Sequence, residues 1–395
     1  MKVKEKSNKK QKKSIVIASV LLVAVVMVCA IICIKMIIAL FEKQNIDDVD
    51  VQENSMEIEA VVADTEESIL EDIIEEPELP VITPEIMEEP ESVQIIVSAA
   101  GDCTLGTDEN FDGDTSFNAK YNEVGYAGFF FEKVKHIFEA VDLTIVNLEG
   151  PLTTSNDRED KVYAFKGKPE FTKILTEGSV EAANLANNHA FDYGRQSYED
   201  SKMYLTEAGI ANFGYDRNAY MEVEGVKIGL IGINELPYGT GCADMLIQDI
   251  EAAKAEGAQL IIVSFHWGTE KEHYPDSIQK ELGHLAIDEG AHLVLGHHPH
   301  VLQGIEVYKG RNIVYSLGNF CFGGNKNPSD KDTMIFQQTF TITEGIVAED
   351  NVNVVIPCSL SSKSSYNNYQ PMVLDGEEKD RVMKRIETYS EGLSS

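Results

Sequence analysis

Residues 259–300 read QLIIVSFHWGTEKEHYPDSIQKELGHLAIDEGAHLVLGHHPH. An apolar run from Leu260 to Phe265 ends in His266-Trp267-Gly268, with Glu270 just beyond. A helical spacing of apolar residues follows over 276–289, and a second apolar run, Leu293 to Leu295, ends in Gly296-His297-His298-Pro299-His300. Strand, helix and strand in that order predict a βαβ unit with parallel strands. Three of the nine histidines of the chain fall within its last four residues. Imidazoles at i and i+2 of an extended segment face the same way, which would set His298 and His300 at neighbouring positions of one metal centre.

Outward from this unit the same texture repeats. Short β-rich runs are predicted at 93–100, 143–148, 180–186, 226–233, 259–265, 291–296 and 312–317, with later β segments near 334–343 and 351–357. Helical spacing recurs at 128–140, 195–208, 245–256 and 276–289. Alternating β and α elements make the fold class α/β with mostly parallel strands. Functional groups of such sheets collect beyond the carboxyl ends of the strands, and the polar clusters of this chain sit there. The first strand runs into Gly101-Asp102, where the glycine would permit a sharp turn. The second delivers Asn147 and Glu149 on either side of Leu148, so alternation points both polar groups to one face. The third ends in Asn184-Leu185-Ala186-Asn187-Asn188-His189, followed by Asp192 and Gly194. Amides and an imidazole closing an apolar strand are hard to explain as core. Asp102, Glu149, Asn188, His266 and His298 or His300 mix hard oxygen with borderline nitrogen ligands, a set suited to one or two divalent Mn, Zn or Fe ions. His136, His273, His284 and His292 fall outside the pattern.

The N-terminal region has a different character. Residues 15–34 carry no charge and are interrupted only by Ser19; as a helix they would be roughly 30 Å long, enough to cross a bilayer. Seven lysines precede this run and an acidic stretch follows, so the positive-inside bias predicts a single-pass membrane protein with a cytoplasmic N-terminus and an extracellular C-terminal domain. A cleaved signal peptide is the rival reading, but no small-x-small site follows the run closely. Residues 41–92 hold 19 acidic side chains against one lysine, with Pro77, Pro80, Pro84 and Pro90. That composition self-repels and reads as a disordered stalk. The expected organisation is a basic tail (1–13), a transmembrane signal anchor (14–40), an acidic linker (41–92), a large domain (93–375) and a C-terminal tail or helix (376–395).

The formal net charge is −33, which argues against nucleic acid as a partner because phosphate backbones want a basic face. Cys103, Cys242, Cys321 and Cys358 lie in the domain, and no spacing selects a pairing among them.

The ordered motifs Gly101-Asp102, Asn147-Leu148-Glu149-Gly150, Phe165, Ala186-Asn187-Asn188-His189, Asp192-Tyr193-Gly194, His266-Trp267-Gly268, Gly296-His297-His298-Pro299-His300 and Ser316-Leu317-Gly318-Asn319-Phe320 resemble those of the CapA-type poly-γ-glutamate capsule biosynthesis family, within the metallophosphoesterase (calcineurin-like) superfamily. The resemblance implies a metallophosphatase-like four-layer αββα sandwich. It also implies a function in making, exporting or anchoring poly-γ-glutamate, beside a cytoplasmic ligase and small membrane proteins. Carried over residue by residue, Glu149 would bridge two metals, Asp102 and His300 would hold one, and Asn188, His266 and His298 the other. His189 would be catalytic, together with Asp102 and Glu149. Whether His297 or His298 fills the ligand position stays open. Asn147, Phe165, Lys166, Trp267, Glu270, His297 and Asn319 are candidate contacts to an anionic polymer or phosphoester.

This chain departs from the superfamily pattern at two positions. Thr104 stands where a histidine is usual, and Glu149 replaces a shorter aspartate, so the first metal site is short of a ligand. Two functional readings follow: a metal-dependent hydrolase, and a non-catalytic member of a capsule-assembly complex that keeps the fold.

Overall fold

The computed structural model describes residues 91–393. The apolar run and the acidic stretch expected to be anchor and stalk lie outside the described residues. Among the described residues no helix is long and apolar enough to cross a membrane.

In chain order the strands are β1 (Ser92–Cys103), β2 (Thr107–Asp108), β3 (Leu143–Leu148), β4 (Phe165–Lys166), β5 (Ala182–Asn184), β6 (Ala211–Phe213), β7 (Ala219–Val223), β8 (Val226–Asn234), β9 (Leu260–His266), β10 (Leu293–His297), β11 (Ile305–Tyr308), β12 (Arg311–Val314), β13 (Asp332–Thr343), β14 (Ile346–Val347), β15 (Val352–Ser359) and β16 (Met372–Val373). The helices are α1 (Phe117–Val124), α2 (Lys135–Phe138), α3 (Thr172–Glu177), α4 (Gly194–Glu207), α5 (Ala243–Ala255), α6 (Ser277–Asp288) and α7 (Gly376–Ser390). One sheet runs in the order β16-β15-β13-β1-β3-β5-β6, with β14 on β13; the other runs β11-β12-β10-β9-β8-β7.

The expectation of mostly parallel strands holds for one half of the first sheet, out to its edge at β6, and for the middle of the second. The β1–β3–β5–β6 and β8–β9–β10–β12 ladders are parallel. The strands β13, β15, β16, β7 and β11 pair antiparallel; β7–β8 and β11–β12 do so as tight hairpins, whereas β13 returns to β1 from the far end of the chain.

Side-chain alternation builds three cores from these two sheets. Val97, Ile145, Ala182, Ile262, Leu295 and Met334 share one cluster contributed by both sheets. Val146, Leu148 and Ala183, one residue out of phase, pack with Phe117, Phe171, Tyr198 and Leu205 from the helical side of the first sheet. Ile231, Ile261, Val263 and Val294 do the same with Leu246 and Ile250 of α5 and Leu282 and Ala286 of α6. The result is an α/β fold of helices, two sheets and helices.

The segment expected as one helix over 128–140 is instead a 3-10 turn at Ala127–Phe130 followed by α2. Phe130 and Phe131 are both fully buried and turn to different partners, Phe117 and Phe320 respectively. A single helical stripe cannot bury two consecutive residues on separate sides. The C-terminal residues form α7, whose Val382 and Ile386 complete the inter-sheet core. Its Arg381 and Arg385 both hold Asp332, and Arg385 also holds Asp330. Cys103, Cys242, Cys321 and Cys358 are all buried thiols.

Candidate metal centre

The rows that face the other sheet change chemistry at their carboxyl ends. On β3 they run Leu143, Ile145, Asn147 and then Glu149; on β5, Ala182 and Asn184; on β9, Leu260, Ile262, Ser264 and His266; on β10, Leu293, Leu295 and His297. The polar groups continue the core-facing phase beyond the apolar residues, so the site caps the inter-sheet core. A register shift in β1 between Ala100 and Asp102 brings Asp102 opposite Asn147. Gly101 makes this possible by close approach rather than by the sharp turn expected. A Cβ there would lie 1.9 Å from the Gly318 carbonyl oxygen, while Asp102 N–H donates to that same oxygen at 2.9 Å.

Glu149 lies at the meeting point. It is fully buried. Thr104 Oγ1 donates to Oε2 at 3.1 Å, and Oε1 has no hydrogen-bond partner. Facing Oε1 are Nε2 of His300 at 3.7 Å, Nε2 of His266 at 3.9 Å and Nε2 of His189 at 4.0 Å. Two groupings share this carboxylate: Glu149, His266 and His298, and Asp102, Glu149 and His300, with ligand atoms within 4.8 Å of one another in each. Asn188 Oδ1 lies 2.8 Å from His266 Nε2, on the side of the first grouping. Two atoms each roughly 2.1 Å from one cation lie at most about 4.2 Å apart. The Glu149–His300, Glu149–His266 and His266–Asn188 separations meet that limit, and an orphaned buried carboxylate oxygen among imidazoles is what a divalent cation would satisfy.

His298 and His300 reach their groupings by a route other than the extended segment expected. Both have left-handed backbones, φ 96° and 59°, so the chain turns about Pro299 and aims the two rings into different groupings. His297 belongs to neither. It is buried, its Nδ1 lies 3.5 Å from Asp102 Oδ1, and neither ring nitrogen has a hydrogen-bond partner.

The electrostatics follow from burial and crowding. Burial opposes ionisation of Asp102, but the His297 and His300 imidazoles beside it hold its carboxyl well below the usual range. Burial pushes the Glu149 carboxyl up, against the pull of His300. His300 is pushed up to about 10: burial works against its charge, and Glu149 and Asp102 outweigh it. Burial, with His298 nearby, holds His266 well below its ordinary value; burial and His300 lower His298 to about 4. Both shifts hold His266 and His298 toward the neutral form, the state in which imidazole ligates.

Several residues serve the ligands from behind. Asn147 donates to Asp102 Oδ1 at 2.8 Å, and its own oxygen accepts from Asn184 at 3.0 Å and Asn187 at 3.4 Å. Fully buried and so committed, Asn147 cannot touch a substrate, which corrects the sequence expectation. Trp267 is corrected likewise: it is fully buried, stacked on Phe265, and donates to the Tyr315 carbonyl. Lys166 is turned to the Ser155 carbonyl and the Asn156 side chain. Asn319 Oδ1 lies 2.9 Å from His300 Nδ1, which leaves Nε2 of that ring toward Glu149. His189 Nδ1 lies 2.7 Å from Asp192 Oδ2, and Asp192 is itself paired with Lys161 and accepts from Phe165 N–H. Lys161 escaped the sequence reading, and Asn184 and Asp192 stood in the polar cluster after the third strand without a predicted role. The His-x-x-Asp spacing of 189 and 192 was the available signal.

The centre opens into a cleft of about 540 Å³ whose lining includes His189, His300, Asn319, Phe165 and Glu270.

A buried set of carboxylate, amide and imidazole groups at the carboxyl ends of two facing sheets defines an α/β protein with a candidate metal centre. Residues 96–324 match the family described as bacterial capsule synthesis protein PGA_cap, and the chain belongs to that family. It is 34% identical over 226 residues to the PGA biosynthesis protein CapA of Bacillus subtilis, covering 51% of this chain and 59% of that protein. It is 32% identical over 218 residues to the capsule biosynthesis protein CapA of Bacillus anthracis, covering 49% and 53%. A probable polyglutamine synthesis accessory protein of Mycobacterium tuberculosis is 28% identical over 211 residues, covering 46% and 55%. The match thus spans little more than half the length of each of these relatives.

Proposed function

We propose that the chain is a metal-dependent phosphoesterase-like hydrolase of poly-γ-glutamate capsule synthesis, with a metallophosphatase-like four-layer sandwich held outside the cell by an N-terminal membrane anchor. Membership of the capsule synthesis family and the names of the relatives support the capsule assignment. One observation carries the chemistry: the buried, unpartnered Oε1 of Glu149 faced by three imidazoles.

Glu149 would bridge two cation positions, with Asp102 and His300 on one and Asn188, His266 and His298 on the other. Bound there, divalent cations supply a water nucleophile at neutral pH and polarise the phosphoryl oxygens. The chain supplies the rest. Asn147 and Asn319 fix the orientations of Asp102 and His300. Asp192 accepts from Nδ1–H of His189, which leaves Nε2 toward the cleft; in the imidazolium form Nε2–H can give its proton to the leaving oxygen as the P–O bond breaks, leaving the ring neutral. The attacking water contributes its oxygen to phosphorus and loses a proton, which restores His189.

The purified full-length chain, loaded with Mn²⁺ or Zn²⁺, should release p-nitrophenol from the mono- and bis-p-nitrophenyl phosphates. His189→Ala should keep its metal and lose about 10²–10⁴ in kcat. Equal activity in both proteins, or none in either, would remove the hydrolase reading. Metal retention without activity would favour the non-catalytic reading instead, which Thr104 motivates by leaving the first site a ligand short. Weighing surface poly-γ-glutamate after gene deletion tests the capsule assignment, and an unchanged yield would remove it.

A further inference from the structure

The cleft has a wall that the chemistry above does not use. Phe111 and Tyr163 are 63% and 52% exposed, unusual for large aromatic rings beside a buried polar centre. They belong to a continuous series. Phe111 lies 5.7 Å from Tyr163, Tyr163 lies 6.4 Å from Phe165 in a stacked orientation, and Phe165 lies 4.5 Å from His189, all between ring centroids. All four residues line the cleft, as do Lys271 and Lys326.

The wall is built rather than incidental. Phe111 and Tyr163 come from different segments, and one buried carboxylate ties both down. Asp108 Oδ1 accepts from Asn110 N–H at 2.8 Å, while Oδ2 accepts from Ala164 N–H at 2.6 Å and from the Arg158 guanidinium at 2.8 Å. Phe165 is fixed in turn by its N–H donation to Asp192, the carboxylate that also orients His189. The geometry of the aromatic wall is therefore coupled to that of the proton donor. Pre-set rings lose little freedom on binding a flat partner.

We propose that this wall is the leaving-group subsite of the cleft, and that the substrate is a phosphoester whose leaving side carries a ring, seated on Tyr163 and Phe111 while its phosphoryl group reaches His189. The inference rests on the phosphoesterase reading and narrows its substrate. A polycarboxylate chain has no face to offer these rings. A ring on the leaving oxygen offers both an apolar face and a reach of only a few bonds from phosphorus.

Binding can be read without turnover, using phosphonates, whose P–C bond is not cleaved. Phenylphosphonate, cyclohexylphosphonate and methylphosphonate would be titrated calorimetrically into the Mn²⁺-loaded full-length chain, wild type, Tyr163→Ala, Phe111→Ala and Tyr163→Phe. The wild type should bind at least one ring-bearing phosphonate about tenfold more tightly than methylphosphonate. Tyr163→Ala should abolish most of that advantage, Phe111→Ala should reduce it, and Tyr163→Phe should keep it, with methylphosphonate affinity the same in all four proteins. An advantage confined to the phenyl compound assigns a planar aromatic leaving group; one shared by the cyclohexyl compound assigns a saturated, sugar-like ring. Methylphosphonate binding with no ring advantage, or an advantage that survives Tyr163→Ala, overturns the subsite alone. Failure of every phosphonate to bind overturns the phosphoester reading and the subsite with it.

Discussion

Asn147 shows what a single buried amide does here. Its nitrogen holds Asp102, its oxygen is held by Asn184 and Asn187, and the ring of His266 approaches the same nitrogen at 3.4 Å. It thus sets the relative positions of groups assigned to both cation sites. Residues that orient metal ligands typically matter 10–100-fold. Asn147→Ala should therefore weaken Mn²⁺ affinity of the full-length chain by about that factor, read by competition with a chelator; an unchanged affinity would show that Asp102 is positioned by its backbone alone. Glu149 and His266 were legible in the sequence because each continues the core-facing phase at the end of a strand, whereas Asp102, Asn188, His298 and His300 were legible only as polar groups clustered after strands. The residues behind them were less so. Thr104 reads as a missing histidine, and its hydrogen bond to Glu149 Oε2 is visible only once the longer carboxylate is seen to need a second partner. Asn147 and Trp267 read as contacts to substrate because sequence position gives phase but not depth.

At the scale of elements, long amphipathic segments were read closely: 195–208, 245–256 and 276–289 became α4, α5 and α6. Two-residue strands such as β2 and β4 were not, since so short a run has no period. The segment from His297 to His300 was misread in shape but not in destination. Its left-handed residues depend on a tertiary setting that local spacing does not encode. The β9–β10 junction carries a pH-dependent term of its own. His292 Nδ1 accepts from Ile261 N–H at 3.0 Å while His292 N–H donates to the Ile261 carbonyl at 2.8 Å. Burial, helped by Arg311, lowers His292 to about 4. Folding therefore excludes a proton that the unfolded chain accepts below about pH 6.5. The resulting stability is complete above that pH and is lost as pH falls toward 4. Between pH 7.5 and 4.5, His292→Gln should lose about 2–3 kcal/mol less than wild type in denaturant titrations. Equal losses would mean that His292 binds its proton equally well in the folded and the unfolded chain.

Across the whole molecule the two sheets act as a pair of brackets. Asp102, Glu149 and Asn188 come from or follow the first sheet, His266, His298 and His300 the second, and the inter-sheet core beneath them is shared. The C-terminal helix closes that core through Val382 and Ile386, lying against β11 of one sheet and β15 of the other. The acidic excess of the chain makes a captured cation, rather than a basic surface, the means of meeting an anionic group.

The central claim is that these distant residues hold a divalent ion through Glu149. Its most direct test is the metal content of the purified full-length chain after reconstitution and removal of free ions, wild type against Glu149→Gln, with circular dichroism to show that both are folded. The account predicts at least one bound divalent ion per wild-type chain and a large loss in the folded variant. A wild type that binds none, or a variant that binds as much, would contradict it.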